Sequence, residues 1–133
     1  MLRLLSILFF SLVIFSSCHK PTGVKNAIIS ADSIAINYFK GDGSMDTVNN
    51  VVIIKDKKQI EQLANYTEAN NADDYKCGYD GSFHVFKNNR VIQDVDFRMN
   101  DAQCMHFSFI FSGKQYSTSL STNAKEFLTT LNR

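Results

Sequence analysis

From Ser33 to Phe39 the chain alternates, with Ile34, Ile36 and Tyr38 on one side and Ala35, Asn37 and Phe39 on the other. A period of two marks a half-buried strand. Gly41-Asp42-Gly43-Ser44 breaks the pattern, and the stretch Asn50 to Lys55 then carries the unbroken apolar run Val51-Val52-Ile53-Ile54. Such a run predicts a strand covered on both faces, paired with the first through a long loop. At Asp56 the period changes. Ile60, Leu63, Ala64 and Thr67 recur at helical spacing, and Glu61 and Gln62 fall on the wet side. Asp56 followed by Gln59 resembles a capping box, which sets the start of this helix. Residues 68–74 hold no apolar period and end it.

From Ser82 onward the pattern is again that of strands. Phe83 and Val85 share a face, opposite His84 and Phe86. Lys87-Asn88-Asn89-Arg90 supplies a tight turn, because Asn tolerates positive φ. In Val91–Met99, residues Val91, Gln93, Val95, Phe97 and Met99 face one way, and Ile92, Asp94, Asp96 and Arg98 the other. In Met105–Phe111, Met105, Phe107, Phe109 and Phe111 oppose His106, Ser108 and Ile110. After a turn at residues 112–115, Tyr116, Thr118 and Leu120 alternate with serines. A last helix, capped by Thr122 or Asn123, has the stripe Ala124, Phe127, Leu128 and Leu131.

The expected order is ββα-ββββ-α. Short turns make neighbouring strands antiparallel. One face of about six strands is rich in Phe and Val, and two helices are available to pack on it. The fold class is α+β, a two-layer sandwich. The alternative is a curled sheet or partial barrel with the last helix as a lid.

The length, 133 residues and 15.1 kDa, suits one domain. Apolar residues at 44% and charged residues at 20% describe a globular chain. The net charge of +1, with no basic stripe, excludes nucleic acid as the expected partner.

Residues 1–17 change the picture. Arg3 precedes an uncharged apolar stretch of about fifteen residues, short of the ~20 that span a bilayer comfortably. A charged start, an apolar middle and small residues before a cut describe a secretory signal. The residues Phe15-Ser16-Ser17-Cys18 resemble the lipobox of bacterial lipoproteins, with Phe15 where the commonest form has Leu. The resemblance implies cleavage before Cys18, a diacylglycerol on its sulfur and N-acylation, so that the lipid bilayer is the first partner. Several acyl chains together anchor firmly, at about 0.8 kcal/mol per buried CH₂. His19 is not the aspartate that such proteins use for inner-membrane retention, and the resemblance therefore points to the outer membrane of the cell envelope. Residues 18–26 read as a lipidated tether, and residues 27–133 as the single domain.

With Cys18 acylated, Cys77 and Cys104 remain. An even remainder in an exported protein predicts one disulfide. Each cysteine precedes one of the two strands flanking 91–99, so both lie at one end of the sheet. Alternate strands are about 9.6 Å apart, so the loop of residues 75–81 has to curl inward for the bridge to close. Two free thiols or a metal pair are the rival readings, and the spacing Cys104-Met105-His106 is not a zinc signature.

Candidate chemistry is sparse. His84, His106, Asp94 and Asp96 share the polar sheet face, which would suit a small hydrolase-like enzyme. Alternating charges also describe a plain solvated face. No nucleophile elbow, metal signature or phosphate loop accompanies them, so neither catalysis nor a metal or other cofactor is expected. The loop Asp73–Ser82 lacks the spaced oxygens of an EF-hand, and its Tyr75, Tyr79 and Asp80 are the expected contacts for a protein partner. Phe107, Phe109 and Phe111 read as core. The mature region resembles small bacterial envelope lipoproteins in Lys76–Gly81 (Lys-Cys-Gly-Tyr-Asp-Gly) and in Asp94-Val95-Asp96-Phe97. The resemblance implies a non-enzymatic binding or structural module working through its loops. A disulfide-pinned lipoprotein of this size also resembles lysozyme inhibitors, which makes inhibition of a periplasmic or host hydrolase the alternative.

Overall fold

The computed structural model describes residues 22–41, 44–73 and 76–133. The leader, Cys18 and Tyr75 lie outside them. The elements run α1 (Thr22–Ile29), β1 (Ser33–Phe39), β2 (Val48–Ile54), α2 (Lys57–Thr67), β3 (Gly81–Lys87), β4 (Arg90–Arg98), β5 (His106–Phe111), β6 (Lys114–Ser119) and α3 (Thr122–Leu131). The six strands form one antiparallel sheet in the order β2-β1-β3-β4-β5-β6. The fold is α+β, as the periodicities predict, with three helices where two were expected. Among the described residues no helix is long and apolar enough to cross a membrane.

The added helix is α1. It begins inside the stretch read as a tether, so residues 22–26 belong to the folded body. Val24 and Ile28, four apart and both fully buried, hold it in the core. Gly23 lets the Phe111 ring lie against the helix, because a Cβ at that position would stand 2.2 Å from the ring and push it aside.

Alternation sorts the strands as the sequence implies. Ile34, Ile36 and Tyr38 of β1, Phe83 and Val85 of β3, Val95 and Phe97 of β4, and Phe107 and Phe109 of β5 line the inner face. Buried residues of all three helices join the same core, among them Ile60, Leu63, Ala64, Ala124 and Leu128. Tyr38 reaches α3, where its hydroxyl donates to the Leu128 carbonyl at 2.7 Å. Burial pushes that phenol well above its ordinary range.

The ends of the elements follow local chemistry. Asp56 caps α2 by accepting from Gln59 N at 3.0 Å. Ser121, one residue ahead of the expected caps, accepts from Ala124 N at 3.1 Å and starts α3. Asn88 and Asn89, at φ 51° and 60°, form the two-residue turn between β3 and β4.

Two expectations about faces fail. The β2 run is covered on one side only, leaving Val51 and Ile53 in the open. It is an edge strand, and its outer face carries no helix among the described residues. Val91 does not share a face with Gln93. The β3–β4 register steps from Val85↔Gln93 to Phe86↔Val91, so Ile92 is an extra residue. This bulge turns Val91 onto the outer face with Phe86 and His84.

The disulfide Cys77–Cys104 is present, with Cα atoms 6.4 Å apart. The loop curls across the end of β4 as the spacing requires, and Gly78 adopts φ +68° in it.

Candidate functional site

The outer face of the sheet is where polar groups and open space meet. Between β4 and β5 the ladder holds only for Asp96↔Ser108, Phe97↔Phe107 and Arg98↔His106. Beyond Asp96 the two strands part, although β4 continues back to Arg90 and β5 forward to Phe111. The side chain of Gln93 fills in for the missing ladder, its Nε2 donating to the Ile110 carbonyl at 2.9 Å and to the Asp94 carbonyl at 2.8 Å. Over this parting lies a groove of about 400 Å³. Ile92 and Ile110 form its apolar lips, Asp94 and Asp96 stand along the β4 side, and Tyr79 closes one end. A second hollow along α3 is lined by Thr122, Lys125, Glu126, Thr129, Thr130 and Arg133, with no aromatic or histidine.

The sheet brings His84, Asp94 and Asp96 together. His84 and Asp94 are cross-strand partners, and His84 Nδ1 lies 2.6 Å from Asp94 Oδ1. On the other side of the ring, Asn37 Nδ2 donates to Nε2 at 3.0 Å. Nδ1 is thus the ring nitrogen that faces a carboxylate, and Nε2 the one that faces the Asn37 amide. Asp96, two residues along, is half-buried. Its carboxyl is held above the ordinary range by burial first and by the neighbouring Asp94 charge second, with His84 opposing both.

His106 does not join them. On strand spacing it lies two strands and four residues away from His84, about 16 Å. It is fully buried, with Nδ1 hydrogen bonded to the Cys104 carbonyl. The Tyr79 ring covers it at 5.8 Å between centroids.

Of the expected loop contacts, Tyr79 reaches the groove, and Tyr75 lies outside the described residues. Asp80 is not available to a partner. It is 5% exposed and fully occupied inside the protein. Arg98 Nη1 donates to Oδ1 at 2.9 Å, and the backbone amides of Met99 and Asn100 donate to Oδ2 at 2.7 and 2.8 Å. Its own backbone joins β1 to β4, accepting from Phe39 N and donating to the Phe97 carbonyl. Sequence spacing carries no sign that the amides of residues 99 and 100 close over this carboxylate.

Cys77, Asp101 and Cys104 place ligand atoms within 4.8 Å of one another. Both sulfurs are joined in the disulfide, so the trio offers a metal one carboxylate and no thiolate. The groove was not legible in the sequence. Its signals are the Ile92 bulge and the ladder that stops at Asp96, and both depend on pairing. The chain matches no known family model, no characterised protein and no solved structure. The site is therefore read from its own chemistry.

Proposed function

We propose that this chain is a non-enzymatic binding module of the bacterial envelope, moored to the bilayer by an acylated Cys18, with the β4–β5 groove as its working surface. The observation that carries the reading is the groove itself. It lies on the face that no described helix covers, and large apolar residues stand exposed beside carboxylates there, with Ile110 62% exposed. Bare apolar groups on one rim of a concavity favour a partner over solvent. The leader sequence and the disulfide support placement outside the cytoplasm.

His84 with Asp94 is the feature that favours the hydrolase reading. Against it, Nε2, the atom a general base would use, is already bonded to Asn37. Among the described residues, the side chains hydrogen bonded to the ring are Asn37 and Asp94, and neither is a serine or cysteine nucleophile.

The test is a photo-crosslinking side chain placed at Ile110 of the full chain in living cells. Capture of a discrete envelope component from Ile110, but not from exposed Glu61 on the helical layer, is expected. Equal capture from both positions removes the groove from consideration. Mass spectrometry of the native product decides the mooring, with an acylated Cys18 at the N-terminus expected and an intact leader ruling it out.

A further inference from the structure

We infer that the groove takes an extended segment of a partner protein that presents a lysine or arginine side chain between apolar neighbours. This rests on the groove being the binding surface and names what it binds.

The argument starts from charge. Asp94 and Asp96 are two residues apart on one strand, so their carboxylates point the same way, with Cα atoms about 7 Å apart. Asp94 is engaged by His84 Nδ1 at 2.6 Å. The backbone of Asp96 is paired in the ladder, but no described residue hydrogen bonds to its carboxylate or lies within ion-pair distance of it, although the residue is only partly exposed. The nearest cation along β4, Arg98, is engaged by Asp80 on the buried side of the loop. A half-buried carboxylate beside a second one is stabilised by a cation and destabilised by an acidic or apolar occupant.

The second element is shape. Val91, turned outward by the bulge, Ile92 next to it and Ile110 across the parting are all large and exposed. A bare metal ion or a small polyamine would leave them wet. A basic side chain with apolar neighbours on the same segment meets both the carboxylates and the lips. Its methylene stem also matches the apolar rim while its head reaches the acids. Tyr79 closes the end of the groove with an aromatic ring, a surface that guanidinium and ammonium groups favour. A groove of about 400 Å³ lies near the low end of small-ligand sites, ~300–1,000 Å³. It holds one long side chain and parts of its neighbours, not a folded domain.

The test uses the full chain in detergent and three probes. These are acetylated, amidated pentapeptides Thr-Val-X-Val-Thr with X as lysine, glutamine or glutamate, followed by NMR titration, with spermine as a fourth probe. The lysine peptide is expected to shift the resonances of Tyr79, Ile92, Asp96 and Ile110, and to bind about tenfold more tightly than the glutamine peptide. The glutamate peptide is expected to bind least. Asp96→Asn should bring lysine down to the glutamine level, while Glu61→Gln, on the far layer, should leave the preference intact. Equal binding of lysine and glutamine peptides overturns the inference while leaving the groove as a binding surface. So does spermine binding as tightly as the lysine peptide. If no peptide moves any groove resonance, and Ile110 also crosslinks nothing, the functional reading itself falls.

Discussion

At the scale of single residues, Asp80 and Asp96 show how far position decides the role of a carboxylate. Both are the same short acidic side chain, Asp80 at the end of a glycine-flanked loop and Asp96 within a strand. Asp80 meets one guanidinium and two backbone amides, and it ties the loop to the end of β4. Asp80→Ala should therefore cost about 3 kcal/mol or more, since it strands a partly buried Arg98 and two amides. The denaturant midpoint would drop with the slope unchanged. A loss below about 1 kcal/mol would mean that water replaces all three bonds. Asp96 has the reverse character. Its folded-state carboxyl binds a proton more tightly than its ordinary value of 3.8. The folded protein therefore holds a proton that the unfolded chain has already released, and stability falls as pH rises through that window. The penalty persists at neutral pH. Asp96→Asn removes it, so the variant should melt higher relative to the parent at pH 7 than at pH 3. A difference independent of pH would show that neither burial nor the Asp94 charge disfavours the Asp96 carboxylate. Neither role was legible beforehand, because Asp80 is defined by partners eighteen to twenty residues away and Asp96 by a depth of burial that only the folded sheet sets.

At the scale of elements, legibility tracked the strength of the local period. The strand Ser33–Phe39 and the helix with buried Ile60, Leu63, Ala64 and Thr67 appear as read, because each repeats one period without interruption. Helix α1 was missed because it is only eight residues long, so its buried positions Val24 and Ile28 give a single i, i+4 repeat and no sustained period. Pro21 directly ahead of Thr22 is the start signal that could have found it. The Ile92 bulge inverted the assignment of Val91, since a period of two carries no record of an extra residue. Gly81 tests the packing of β3 between its neighbours. A Cβ there would lie 2.3 Å from the Phe97 ring and 2.4 Å from the Asn37 carbonyl oxygen. Backbone cannot retreat as a side-chain tip can, so Gly81→Ala should destabilise by about 2 kcal/mol or more. Thermal melting reads this directly, and an unchanged melting temperature would mean that β1 and β3 are looser than their ladder implies.

At the scale of the whole molecule, one crosslink joins the loop ahead of β3 to the segment ahead of β5, its ends 27 positions apart in the sequence. The sequence required the loop to curl inward over the end of β4, and the 6.4 Å Cα separation shows that it does. The bridge has two consequences that can be separated. Closing a loop of this length restricts the unfolded chain by about 3.5 kcal/mol on the chain-entropy model, a large share of the ~5–15 kcal/mol that holds a domain together. It also holds in place the loop that carries Tyr79 over His106 and sets the end of the groove. Replacing both cysteines by alanine should therefore lower stability by about 3 kcal/mol and, in the still-folded population, weaken binding at the groove. Reductant added to the parent should reproduce both effects, and it should leave the double variant unchanged. A variant that loses stability but binds as the parent does would confine the disulfide to the unfolded state, with Asp80 alone holding the loop. A variant that keeps its stability would mean that the oxidised pair contributes nothing to the fold, and the argument from cysteine count to an oxidising compartment would lose its physical support.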